Sequence, residues 1–227
     1  MLHLKDNYST GLYANHAASL IAAHPTPDTT PFFLYAAFQS VHAPIQAPAE
    51  DVAPYLHLHP TRQTFGGMLA ALDSAIGAVQ DAFVARGMWE NTVTIFSTDN
   101  GGPVGTKDGV HPFGIGGATG SQNWPLRGGK GAYFQGGVRG TAWIHGSMLS
   151  PALKGTHSFE LMHVTDILPT LVAAAGGDAR TSTPTGKPLD GVNQWSVKPL
   201  HSNRESARGH RWVVASLPLL HSNRSVR

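Results

Sequence analysis

The 227-residue sequence contains no cysteine. Disulfides, zinc–thiolate sites and a thiol nucleophile are therefore excluded, and the redox compartment is left open. Charge is scarce as well: 13% of residues are Asp, Glu, Lys or Arg, and the formal net charge is +2. No run of Lys and Arg makes the basic stripe of a nucleic-acid footprint, so nucleic acid is not an expected partner. No apolar run is expected to span a membrane, and the opening MLHLKDNYST lacks the apolar core of a signal peptide.

Glycine (26), proline (16) and histidine (13) are plentiful. The first two imply a loop-rich chain that still folds. The histidines are scattered, as surface and hydrogen-bonded structural histidines usually are. A metal cluster of His57, His59 and His111 is disfavoured, because the sequence offers no identifiable partner to complete it, and scattered histidines are usually structural. Asn7-Tyr8-Ser9 and Asn223-Arg224-Ser225 fit the glycosylation acceptor pattern, which arises often by chance.

Periodicity predicts alternating helices and strands. Residues 11–23 read as a helix with Leu12, Leu20 and Ile21 near one stripe. FFLYAAF (32–38) fits a buried strand, and the proline-rich stretch 42–60 an irregular loop. In 62–86, Phe65, Met68, Leu69, Leu72, Ile76, Val79 and Phe83 recur at steps of three and four, which predicts one apolar helix face. Asp73 in that helix reads as a structural hydrogen-bonding residue. TVTIFSTDN (92–100) is a strand whose carboxyl end turns polar, the end at which ligands sit in an open α/β sheet. A glycine-rich loop, 101–131, follows; loops of that length are usually functional or disordered. Residues 138–148 read as a strand and 166–176 as a short helix. LHSNR occurs twice near the end, too short a match to be a structural repeat. This alternation implies an α/β fold with a mostly parallel sheet.

Three places carry candidate chemistry. Asp99 and Asn100 end a strand with a carboxylate and an amide carbonyl, hard oxygen donors suited to Ca²⁺ or Mg²⁺. Asp-Asn-Gly-Gly is equally a turn sequence that needs no metal. Lys130, after Gly128 and Gly129, is a compact cationic donor beside a backbone that a ligand can approach closely, or else a solvated surface lysine. His42, before a proline loop, is able to support proton transfer if it is positioned, and is otherwise structural.

FFLYAAFQSVHAPIQAP, MLAALDSAIGAVQDAF, NTVTIFSTDNGG, NWPLRGGKGAYFQGGVRGTAWIHG, HVTDILPTLVAAAG and KPLDGVNQW occur in the order found in type I sulfatases. The sequence resembles the arylsulfatase B-like members over residues 8 to 195. The resemblance implies an alkaline-phosphatase-like sandwich, a mixed and mostly parallel sheet flanked by helices, incomplete here. It implies a sulfuric ester hydrolase using a formylglycine beside a divalent cation, usually calcium. On that resemblance Asp99 and Asn100 are metal ligands, while His42 and Lys130 contact the sulfate. Arg127, Arg139, His163 and Asp166 are assigned to structure. The implied substrate is a sulfated small molecule or glycan, and the implied compartment is lysosomal or extracellular.

The family's Cys/Ser-x-Pro-x-Arg motif, source of the formylglycine, has no match here. Ser182-Thr-Pro184-Thr-Gly186 and Ser216-Leu-Pro218-Leu-Leu220 both lack the Arg. The early Asp-Asp pair and the early Lys with its nearby His have no match either. The chain therefore corresponds to the later part of a catalytic domain (1–195) with a divergent, poorly ordered tail (196–227), as an incomplete gene model, splice product or fragment would. By itself it is expected to be inactive. The other readings are a non-catalytic sulfatase-like binding protein, and a phosphatase or phosphodiesterase of the same superfamily. The stretch between Asp99 and Lys130 is longer than is usual in the family, which leaves substrate size open.

Overall fold

The computed structural model describes residues 7–25, 30–104, 120–179 and 186–195, together with the backbone of Trp212–Ser216. His111 and both SxP stretches lie wholly or partly outside the described residues. The elements run α1 (Ser9–Ala23), β1 (Phe33–Tyr35), α2 (Ala49–Val52), α3 (Pro60–Ala85), β2 (Thr92–Ser97), α4 (Gln135–Val138), β3 (Ala142–His145), α5 (Ile167–Ala174) and β4 (Trp212–Ser216).

The strands form one sheet in the order β1-β4-β2-β3. β4 pairs in parallel with both β1 and β2, and β3 runs antiparallel to β2. The sheet is therefore mixed and mostly parallel. β1 and β2 run the same way, so the chain leaves both at one carboxyl edge. β4 lies beyond residue 195, where the sequence pattern carried no expectation of a strand.

Helices cover both faces of β2. Val93 and Ile95 turn to one face, where they pack with Leu171, Ala174 and Trp195. Thr94 and Phe96 turn to the other, towards Ile76, Val79 and Phe83 of α3. This alternation is the period-2 geometry of a strand, here apolar on both faces because both are covered.

The second cluster joins α1, β1 and α3 around Ile21, Phe38, Leu72, Val79 and Phe83. The buried stripe of α1 is Thr10, Ala14, Ala17 and Ile21, at steps of four, three and four. Leu20 is exposed instead, and Leu12 is half-buried. The side of α1 that meets α3 is built from small residues, which let two helix backbones approach. The buried side of α3 also holds small residues, Gly67, Ala71 and Ala75, with Gly67 set against Val52 of α2, and Leu69 is left in solvent. Asp73 also lies exposed on α3, away from the packed face. By length and composition α3 matches a membrane-crossing helix, yet the face holding Met68, Leu72, Val79 and Phe83 is packed in this core.

The proline-rich stretch is partly helical: α2 starts after Pro48, and a 3-10 turn follows at Ala53–Tyr55. Proline fits there because the first turn of a helix leaves its N–H groups without intrahelical partners. The expected strand at 138–148 shortens to β3, its first residue, Val138, being the end of α4.

α1 also anchors the segment after β1. Thr10 Oγ1 lies 2.6 Å from Ser40 Oγ, both residues buried, and Tyr8 Oη is 3.4 Å from the same hydroxyl. Thr10→Val keeps the shape and removes the pairing. It is expected to lower stability by about 1–2 kcal/mol, checked by urea unfolding of the two proteins.

Candidate active site

The carboxyl edge of the sheet gathers the segments singled out in the sequence. β1 leads through Phe38 and Ser40 to His42, and β2 leads directly to Asp99 and Asn100. Lys130 arrives from the loop between Gly120 and α4.

His42 and Lys130, 88 residues apart, meet side chain to side chain, with Nζ 3.1 Å from Nε2. His42 Nδ1 lies 2.9 Å from the carbonyl of Ala43. An ammonium only donates and a carbonyl only accepts, so the two contacts together require a neutral ring with its proton on Nδ1. Nε2 then offers its lone pair to Lys130. His42 is exposed and Lys130 half-buried, so an anion reaching this edge meets a cationic donor and an imidazole together.

Asp99 is exposed and Asn100 half-buried. The Asn100 amide donates from Nδ2 to the carbonyl of Gly101 at 2.8 Å, which leaves Oδ1 as its outward acceptor. Two adjacent residues at the strand end thus each carry a hard oxygen donor. This donor set fits a hard divalent cation in kind but not in number, since tight calcium sites take six to eight oxygens. Among the described residues no group of three or more His, Cys, Asp or Glu side chains is placed to hold a metal.

The edge is held by backbone contacts. Gly101 N–H donates to the carbonyl of Gly137 at 3.0 Å, and Lys130 N–H to that of Gly102 at 3.0 Å. Gly136 N–H donates to the carbonyl of Arg127 at 2.8 Å. A Cβ on Gly101 would run into the carbonyl of Gly136, and one on Gly136 into that of Gly128. The strand end, the lysine loop and α4 thus pack backbone on backbone. Arg127 turns away from this edge and lays its guanidinium over the Phe134 ring, 3.9 Å from the centroid. Arg139 bonds the Gln135 side chain at 3.3 Å within its own turn.

Asn123 escaped the sequence reading. Its Oδ1 accepts from Gly102 N–H at 3.0 Å, and its Nδ2 donates to the carbonyls of Gly102 and Gly128 at 2.8 and 3.1 Å. The Asn-Trp-Pro sequence reads as a turn, and nothing local in it announces a partner twenty-one residues upstream.

His163 and Asp166 lie on the other face, before α5. Asp166 is buried and accepts from the backbone N–H groups of Val192 (2.9 Å) and His163 (3.0 Å) and from Gln194 Nε2 (3.2 Å). These bonds hold its carboxyl below the usual carboxylate range, the one from Val192 contributing most. His163 Nδ1 completes the cap by accepting from Thr165 N–H at 3.4 Å.

The sequence pattern of the family described as Sulfatase matches residues 3–177. The chain belongs to the sulfatase family. Among curated sulfatases it is 36% identical to Arylsulfatase J of Mus musculus over 191 residues, 84% of this chain and 28% of that protein. It is 37% identical to Arylsulfatase A of Bos taurus over 166 residues, 72% of this chain and 28% of that protein. A crystal structure of Ps i-CgsB in complex with k-i-k-neocarrahexaose superposes with a TM-score of 0.70 at 29% identity, over 84% of this chain and 38% of that one. The fold is thus the alkaline-phosphatase-like fold of sulfatases. The chain spans under two fifths of these relatives' length.

Proposed function

We propose that this chain carries one part of the active site of a sulfate ester hydrolase and that a longer protein, or a second segment, supplies the rest. The observation that carries the proposal is the 3.1 Å meeting of His42 and Lys130 beside the Asp99–Asn100 strand end. Lys130 would bind a sulfate oxygen and offset its charge. His42 would sit at the bridging oxygen and give a proton to the departing alcohol, which requires the ring to take up a proton at Nε2 as the anion draws Lys130 away. Asp99 and Asn100 would supply two oxygen ligands to Ca²⁺, with Mg²⁺ the other candidate. When bound, that ion adds charge neutralisation on the sulfate. The nucleophile would be a formylglycine, and no residue of this chain lies in the Cys/Ser-x-Pro-x-Arg setting that yields one.

Two features support a sulfated glycan as substrate. A related structure holds a carrageenan-type oligosaccharide. In the lysine loop of this chain, Trp124 and Tyr133 are 82% and 98% exposed, apolar faces of the kind on which sugar rings stack. A lysosomal or secreted location goes with this reading, and the acceptor triplet at Asn7 begins on an exposed residue. The missing nucleophile motif favours a second reading, in which the chain binds sulfated ligands without turning them over.

The test is assay and calorimetry on the 227-residue chain. It is expected not to hydrolyse an aryl sulfate above background between about pH 4 and pH 9. Calcium titration is expected to show no site tighter than about 10⁻⁴ M, the weak end of protein calcium sites. Turnover that vanishes in Lys130→Ala, or a tight site that vanishes in Asp99→Ala, would mean that this chain holds the whole site.

A further inference from the structure

We infer that Asn123 is the positioning residue that locks the Lys130 loop onto the end of β2. The inference rests on the site proposed above for its purpose, and on geometry alone for its existence. A side-chain amide has one carbonyl acceptor and two N–H donors, and Asn123 uses all of them on backbone. Its Oδ1 takes the N–H of Gly102, while one amide nitrogen reaches the carbonyls of Gly102 and Gly128. It therefore reads both sides of Gly102 as a neighbouring strand would.

The peptide so gripped is the hinge point of the site. Asp99 and Asn100 come just before Gly102 in the chain, and Gly128 comes just before Lys130. The Gly102 carbonyl also accepts from Lys130 N–H at 3.0 Å. One side chain thus fixes the register of both segments against each other. A further rung lies alongside, where Ser121 Oγ donates to the carbonyl of Pro103. Gly129 packs so close that a Cβ there would come within 2.7 Å of the Gly102 carbonyl oxygen. Loss of the amide's grip would let the loop lift from the strand end, carrying Lys130 away from His42.

The isosteric change Asn123→Asp separates this role from simple space-filling. A carboxylate still accepts from Gly102 N–H, but it sets an oxygen against the two carbonyls that the amide donated to. The experiment is amide hydrogen exchange by NMR on the full chain as wild type, Asn123→Ala and Asn123→Asp, with inorganic sulfate then titrated against the His42 ring signals. In Asn123→Ala, exchange at Gly102 and Lys130 is expected to rise by about tenfold or more, with the core amides of Val93 and Ile95 unchanged. In Asn123→Asp, Gly102 should stay protected while Lys130 exchanges as in the alanine variant. Wild-type exchange at Lys130 in both variants overturns the inference. So does uniform acceleration that includes Val93 and Ile95, or failure of both variants to fold, since either makes Asn123 merely structural. If the exchange pattern appears but wild type shows no sulfate response, the clamp stands and the proposed anion site fails.

Discussion

In an enzyme completed by a segment bearing Cys-x-Pro-x-Arg and the Asp-Asp pair, Lys130→Ala is expected to lower the rate on an aryl sulfate by about 10²–10³-fold. A fixed cation facing the sulfate offsets charge where little water competes, so its loss falls on the chemical step. Arg127→Ala is the control. Arg127 lies three residues before Lys130 in the chain, but its guanidinium is laid over the Phe134 ring and is spent on packing. The rate of correctly folded Arg127→Ala enzyme is expected to stay within about tenfold of wild type, with the damage read as lost stability. Equal loss in both folded variants would remove Lys130 as the sulfate contact. Among the described residues, the side chain that meets the lysine is that of His42, through Nε2.

Asp166→Ala is expected to be the costlier change for stability, at about 2–4 kcal/mol near neutral pH. It strips the acceptor from two backbone N–H groups and from Gln194 in a buried setting. The pH dependence follows from the sign of its shift. The folded carboxyl ionises below the usual carboxylate range, so the contribution is fully present above the unfolded value near about pH 4. It is lost as pH falls through the lower, folded value. Urea unfolding of both proteins across that window should show the gap between them closing on the acid side. A gap that stays constant down to the acid limit would assign the loss to packing alone.

Much of the architecture was legible because it follows from periodicity. Large apolar residues at steps of three and four marked α3, and a β-branched run that turns polar marked β2 and its Asp99–Asn100 end. α1 was placed correctly but its buried stripe was not: the contact with α3 is made by Thr10, Ala14 and Ala17, which a count of large apolar residues passes over. Leu69 fell to the same cause. The helical turns at Ala49–Tyr55 hid behind prolines that here begin helices rather than break them. At the site, the motifs carried His42, Lys130, Asp99 and Asn100, and the structure brings His42 and Lys130 into contact. Asn123 was invisible because its partners are backbone groups supplied by remote glycines. Asp73 looked structural in sequence, and the described residues give it only solvent.

On the proposed function, this chain completes a site built for sulfate esters. The direct measurement is turnover of an aryl sulfate against the matching aryl phosphate by this chain joined to an upstream segment carrying Cys-x-Pro-x-Arg and coexpressed with the formylglycine-generating enzyme. Sulfate hydrolysis is expected that neither part shows alone and that collapses in Lys130→Ala. A joined protein that prefers the phosphate ester, or that turns over sulfate equally well without Lys130, would contradict it.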